Sequence, residues 1–179
     1  MTPFYPVGLI WFRRDLRLSD NAALYHAAQH CKTLYCVFVF DDSILTALPH
    51  ADRRVEFICQ SVTELDEAIR QAAGRPQAGL ITRRGLPQEI IPALASQLGA
   101  GAVFCNDDDE PAALARDAQV ARSLKADGRV LLRSKDHRIF ARDEVLTQSL
   151  SPFSVFTPSK NAWLKKVTPF YLSSYPSAR

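Results

Sequence analysis

Glycine is scarce where a nucleotide fold would need it. The seven glycines of this 179-residue chain form neither G-x-G-x-x-G nor a P-loop after any apolar run. That argues against an NAD-binding Rossmann domain and against a phosphate-loop NTPase. A G-x-S-x-G nucleophile elbow, an H-E-x-x-H helix and a Cys/His metal array are missing as well. The four cysteines, Cys31, Cys36, Cys59 and Cys105, show no C-x-x-C spacing. Cys36, Cys59 and Cys105 fall in apolar runs and read as small structural hydrophobes. No apolar run nears the ~18 residues of a membrane span. The start, MTPFYPVGL, lacks the basic flank and long apolar stretch of a signal peptide. A reducing, cytoplasmic setting is expected. Charge of one sign is not in excess: the net charge is +3, with 47% hydrophobic and 23% charged residues. That composition suits a globular domain and does not announce a nucleic-acid binder. Internal repeats and low-complexity tracts are absent too.

What the chain does have is alternation. Val7, Leu9, Ile10, Trp11 and Phe12 form an apolar run without polar alternation, as in a strand covered on both faces. It runs into Arg13, Arg14, Asp15 and Arg17, with Ser19 or Asp20 placed to cap a helix near Asn21. A second strand, Leu34 to Phe40, ends in Asp41 and Asp42. Val55, Ile58, Val62, Leu65 and Ile69 then stripe a helix over about Asp52 to Ala73, stopped by Gly74, Arg75 and Pro76. A third strand is expected near Ala78 to Thr82, before Arg83, Arg84 and Gly85. The next helix buries Ile90, Ile91, Leu94 and Leu98; Pro92 should fall in its first turn or kink it. A fourth strand, Ala102 to Cys105, meets Asn106, Asp107, Asp108, Asp109 and Glu110. Pro111 opens a helix reaching Gly128, and Arg129 to Leu132 supply a fifth strand.

Five βα units over residues 1–134 imply an α/β, Rossmann-like, doubly wound parallel sheet with helices on both faces. Strand order 3-2-1-4-5 would put the topological switch between strands one and four, flanked by the loops RRDLR and NDDDEP. Ligands of open α/β sheets bind at such a switch. Residues 135–179 break the pattern. HRIFARDEVLTQS reads as one short amphipathic segment, and a Pro- and aromatic-rich exit segment follows. Its Phe153, Val155, Phe156, Trp163, Phe170 and Tyr171 are too apolar for an idle linker and should pack on something.

Each polar cluster carries two readings. The acidic run Asp107 to Glu110 caps a helix N-terminus, or its carboxylates accept hydrogen bonds from a ring-nitrogen ligand. Arg13, Arg14 and Arg17 bind an anion, or pair with Asp15, Asp41 and Asp42. His26 and His30, four apart on a helix, read as a polar face because no third ligand stands near.

WFRRDLRLSDNAAL, VFVFDD, RRVEFICQSVTEL, CNDDDEPAALARD and SVFTPSKNAW, in that order, resemble the photolyase and cryptochrome family. Ser159 departs from the aromatic residue that usually follows the TP pair. The resemblance implies the N-terminal antenna domain of a deoxyribodipyrimidine photolyase, a light-dependent lyase that splits cyclobutane pyrimidine dimers. It also implies FAD and damaged DNA bound by a following helical domain, so no catalytic residue and no metal site is expected within this chain, and a monomer away from membranes is. The antenna chromophore would be 5,10-methenyltetrahydrofolate or 8-hydroxy-5-deazaflavin. Glu110 matches the family's pterin-binding glutamate, with Asn106 at the end of the same strand. The deazaflavin mode draws on Arg13, Asp41, Asp108 and Arg54. A cryptochrome receptor and an unrelated nucleotide-binding α/β domain are the alternatives. DNA affinity of this chain itself should be weak, since no basic stripe with interleaved aromatics is present.

Overall fold

The computed structural model describes residues 5–49, 51–75, 77–141 and 143–177. Pro76 in the expected helix stop and Arg142 in the expected amphipathic segment lie outside the described residues. The chain forms β1 (Tyr5–Phe12), α1 (Ala22–His30), β2 (Cys31–Asp41), α2 (Asp42–Leu45), α3 (Arg53–Ala73) and β3 (Leu80–Gly85). It continues with α4 (Pro87–Gln97), β4 (Ala102–Asn106), α5 (Pro111–Ala126), β5 (Val130–Ser134), α6 (Phe156–Lys166) and a 3-10 turn (Pro169–Leu172). The five strands pair in parallel in the order β3-β2-β1-β4-β5. That is the expected fold.

Strand pleating divides the core between the two faces of the sheet. Leu9 and Trp11 of β1 point to one side with Val37, Val39 and Val103, where Ile91, Leu94, Val120 and Leu124 of α4 and α5 cover them. Ile10 and Phe12 point to the other side, against Ala23, Leu24 and Ala27 of α1 and Leu65 and Ile69 of α3. Burial on both faces is why β1 and β4 read as unbroken apolar runs.

Local details differ from the sequence reading in several places. β3 starts at Leu80 and includes Arg83, Arg84 and Gly85, which were expected to follow it. As an edge strand it needs no apolar side chains there, so its polar end was invisible to a hydrophobicity pattern. Pro92 sits inside α4, past the first turn, where its ring removes the N–H that would bond the Gln88 carbonyl. Cys59 is exposed, because the first half of α3 overhangs the sheet and only Val62, Leu65 and Ile69 are fully buried on that helix. Cys36 and Cys105 are buried, and burial pushes each thiol up to about 12. Residues 137–141 and 143–149 form turns rather than a helix.

The C-terminal segment folds back in part. Phe140 receives the edges of Trp163 and Tyr171, with centroids 5.5 and 4.8 Å away. The Tyr175 N–H donates to Asp20 at 2.8 Å, and the Ser177 hydroxyl donates to the Leu18 carbonyl at 2.5 Å. Val155, Phe156 and Phe170 remain exposed, against the expectation that they pack.

The α3–β3 junction rests on one carboxylate. Asp66 accepts from the Leu80 N–H at 2.7 Å and from Arg70 Nε at 2.9 Å. Gly79 is needed beside it: an added Cβ would stand 2.6 Å from Asp66 Oδ1. The Leu80 N–H, more than Arg70, holds the Asp66 carboxyl below its ordinary range. A depressed folded-state pKa gives stability that is present above the unfolded value of about 4 and lost as pH falls through the folded one. Asp66→Asn is therefore expected to cost about 1 kcal/mol at pH 7 and much less near pH 3, measured by urea unfolding at both. Equal losses at the two pH values would contradict the role given to the charge.

Candidate functional site

The carboxyl ends of β1, β2 and β4 carry the most polar surface of the fold, and two cavities open there. The smaller, about 350 Å³, lies between the β1–α1 loop and the ends of β4 and β5, bordered by Arg17, Asn106, Asp136 and His137. The larger, about 600 Å³, lies on the α4/α5 side. Trp11, Phe38 and Phe40 line it from the strands and Ala112, Ala113 and Ala115 from α5, with Asp41, Glu110 and Arg116 as polar groups. Its size and its mixture of apolar walls with a few convergent polar groups suit a small-molecule ligand.

A buried polar network holds this edge in shape. Arg13 donates from Nη1 to both carboxylate oxygens of Asp117 on α5, at 2.7 and 2.8 Å, and from Nη2 to the Asn106 carbonyl at the end of β4. Burial opposes the Arg13 charge, but Cys105, Asp117 and Asp15 outweigh it and raise its pKa above the ordinary arginine value. Asn106 donates from Nδ2 to Asp15 at 2.6 Å and to Asn21 Oδ1 at 3.0 Å, while its Oδ1 accepts the Ala23 N–H at 2.8 Å. Asn21 caps α1 by accepting from the Leu24 N–H, so the cap lies one residue beyond Ser19 and Asp20. Asp136 adds a second acceptor for that helix end, at the Ala22 N–H.

The floor of the larger cavity is charged but paired. The Arg13 and Arg116 guanidinium carbons stand 4.9 and 5.0 Å from the Trp11 ring centroid. Arg116 also bonds Asp117 at 3.1 Å and faces Asp41 at 3.7 Å. At the rim, Arg14 reaches Glu110 at 3.0 Å, and Asp108 accepts the Glu110 N–H at 3.2 Å.

Of the residues singled out from sequence, Arg13, Asp41, Asp108 and Glu110 converge on the larger cavity. Asn106 does not: it is buried, borders the smaller cavity and spends its side chain on the network that joins β1, β4 and α1. Arg54 borders neither cavity. Its guanidinium closes on Asp52 of the same turn at 2.6 and 2.9 Å, and that hydrogen bonding draws the Asp52 carboxyl down to about 2. Within the acidic run, Asp108 accepts the Glu110 N–H at the start of α5, whereas the Glu110 carboxylate makes no cap bond and lines the larger cavity. Arg13 and Arg14 pair with acidic side chains, though with Asp117, Asp108 and Glu110 instead of Asp41 and Asp42. His30 Nδ1 lies 2.6 Å from the His26 carbonyl, and among the described residues no His, Cys, Asp and Glu cluster could hold a metal ion. Trp11, Arg116 and the helix-α4 start at Pro87 and Gln88 were missed as lining residues. The run of alanines in PAALARDA was the available signal, since small side chains on α5 leave the space that forms the cavity.

Asp117 is 1% exposed and faces two arginines, so removing its charge strands Arg13 in the interior. Asp117→Ala is expected to cost about 3–5 kcal/mol in urea unfolding. The volume-matched double variant Arg13→Met/Asp117→Leu should lose less than Asp117→Ala alone. A larger loss in the double variant would show that the pair stabilises beyond mutual neutralisation.

The family model described as DNA photolyase matches residues 8–177. A deoxyribodipyrimidine photo-lyase from Synechococcus sp. (strain ATCC 27144) is 38% identical over 161 residues, 90% of this chain and 32% of that protein. A bacterial class III photolyase from Agrobacterium tumefaciens superposes with a TM-score of 0.81 at 26% identity, covering 99% of this chain and 35% of that one. An archaeal photolyase from Sulfolobus tokodaii, described with two FAD molecules and the implication of a novel light-harvesting cofactor, superposes with a TM-score of 0.74 at 25% identity, covering 90% of this chain and 35% of that one. Cryptochromes are among the further relatives. The chain spans 57% of one uncharacterized relative from Synechococcus sp. (strain PCC 6716), and about a third of the full-length photolyases. No described helix is long and apolar enough to cross a membrane. With nearly all of its residues matched by one family model and its fold shared with solved photolyases, this chain belongs to the DNA photolyase family.

Proposed function

We propose that this chain is the light-harvesting α/β part of a cytoplasmic, monomeric deoxyribodipyrimidine photolyase, and that its larger cavity holds the antenna chromophore. The observation that carries this reading is the cavity itself. It is about 600 Å³ in volume, opens at the carboxyl edge beside the β1–β4 switch, and joins aromatic walls to a carboxylate at the rim. The residues present fit a flat conjugated ring. Phe38, Phe40 and Trp11 supply apolar surface, and the Glu110 carboxylate supplies paired acceptor oxygens for adjacent ring N–H groups. When bound, such a chromophore absorbs near-ultraviolet or blue light and passes the excitation on.

The protein's own work is to bind, orient and exclude water. Arg13 and Arg116 hold the floor rigid against Asp117. Asp108 positions the Glu110 backbone through the N–H bond at 3.2 Å. A folate ring would use the Glu110 carboxylate; a deazaflavin would draw on Arg13, Asp41 and Asp108. Arg54 stands outside the cavity, and Asn106 would act on either ligand by holding the strand ends together. Residues 1–134 form the antenna-binding unit in this reading, and residues 135–179 lead to a helical domain that binds FAD and damaged DNA. A photoreceptor role without repair is the second reading, and the cryptochrome relatives favour it.

Full-length protein purified with 5,10-methenyltetrahydrofolate or with 8-hydroxy-5-deazaflavin distinguishes the modes by its near-ultraviolet and blue absorbance. Under the folate mode, Glu110→Ala is expected to lower folate retention about tenfold, the worth of a charge-assisted hydrogen bond. Undiminished retention would remove Glu110 from the site. The 179-residue chain alone is expected neither to retain FAD nor to split dimers under blue light; flavin absorbance with dimer-splitting activity would overturn the assignment of catalysis to another domain. Dimer splitting by the full-length protein separates a lyase from a photoreceptor.

A further inference from the structure

Arg13, Arg14 and Asp108 border both cavities and so form the partition between them. Two of the three are fixed. The Arg13 side chain is 8% exposed and locked to Asp117 and the Asn106 carbonyl. Asp108 is buried and tied to the Glu110 N–H. Arg14 is built differently: its side chain is 69% exposed and reaches Glu110 Oε1 at 3.0 Å and Asp108 Oδ1 at 3.4 Å.

We propose that Arg14 is a latch that sets which ligand the larger cavity accepts, a role that rests on reading that cavity as a chromophore site. The Arg14 guanidinium pairs with the Glu110 carboxylate, the rim acceptor offered to the cavity. A ring that donates to Glu110 must displace it; a ring held by Arg13 and Asp41 need not. Displacement is cheap. The pair is exposed on both sides, with Glu110 at 62%, and such pairs are weak and screened by salt. Asp108 gives the released guanidinium a second anchor within reach, so the side chain swings off Glu110 without losing every ionic partner. Arg14 thereby penalises ligands that depend on Glu110, its nearer partner at 3.0 Å, more than ligands held by Arg13 and Asp41.

Binding is measured by quenching of Trp11 fluorescence in a Trp163→Phe background of the chain, with 5-formyltetrahydrofolate and riboflavin as probes. Arg14→Gln is expected to tighten the folate probe about two- to five-fold and to leave riboflavin within about two-fold, with Arg14→Lys between wild type and Arg14→Gln. Rising salt should tighten folate binding to wild type and not to Arg14→Gln. In a Glu110→Gln background the effect of Arg14→Gln should vanish. Weaker folate binding by Arg14→Gln would make Arg14 a ligand contact and overturn the latch; so would a tightening that persists without the Glu110 charge. If neither probe binds any variant, the reading of the cavity fails, and the latch falls with it.

Discussion

The carboxyl edge of this sheet depends on the buried ion pair between Arg13 and Asp117. Arg13 is the first residue beyond β1, and Asp117 lies two turns into α5, so their bidentate contact ties the central strand to the helix that follows β4. The same guanidinium reaches the last carbonyl of β4. Each charge is costly to bury alone and is offset by the other, with hydrogen bonds from Arg13 Nη1 to both Asp117 oxygens. The crossing of β1 and β4, where the winding of the sheet reverses, is thus pinned by a contact that permits little slack. Both cavities open at that pinned point.

From this constraint the division of labour follows. Groups beneath the edge are immobile: Asn106 joins Asp15, Asn21 and the start of α1, while Arg116 lies near the Trp11 ring between Asp117 and Asp41. Groups at the rim are exposed and loosely paired, as Arg14 and Glu110 are. A rigid floor with an adjustable rim suits a ligand that must sit in a fixed orientation yet enter from solvent. In the proposed antenna role, fixed orientation would matter to energy transfer between chromophores, and the buried polar network is the part of the site that would supply it. The exposed Val155, Phe156, Leu164 and Phe170 lie outside this machinery, on and beside α6.

The architecture was legible in sequence because its signals are additive. β1 and β4 are apolar on both faces, and the stripe from Val62 to Ile69 repeats at helical spacing, so burial wrote itself into the pattern. β3 was displaced because an edge strand buries little. Cys59 was misread because apolar neighbours in sequence do not reveal where a helix overhangs its sheet. For the candidate site, residue type pointed to the carboxyl edge of the sheet, where Arg13, Asp41, Asp108 and Glu110 line one cavity. What sequence could not separate was a polar side chain facing a ligand from one spent on the fold. Asn106 and Arg54 belong to the second kind, the first through contacts 83 to 91 residues away and the second through Asp52 two residues back. Arg116 escaped notice because its partners, Asp41 and the Trp11 ring, are near only after folding.

A crystal structure of the protein with a bound antenna chromophore, reduced folate or 8-hydroxy-5-deazaflavin, tests the central claim most directly. The account predicts ring density in the cavity bounded by Trp11, Asp41 and Glu110, with the Arg13–Asp117 pair unmoved. A chromophore seated elsewhere on the domain, with that cavity filled only by solvent, would contradict it.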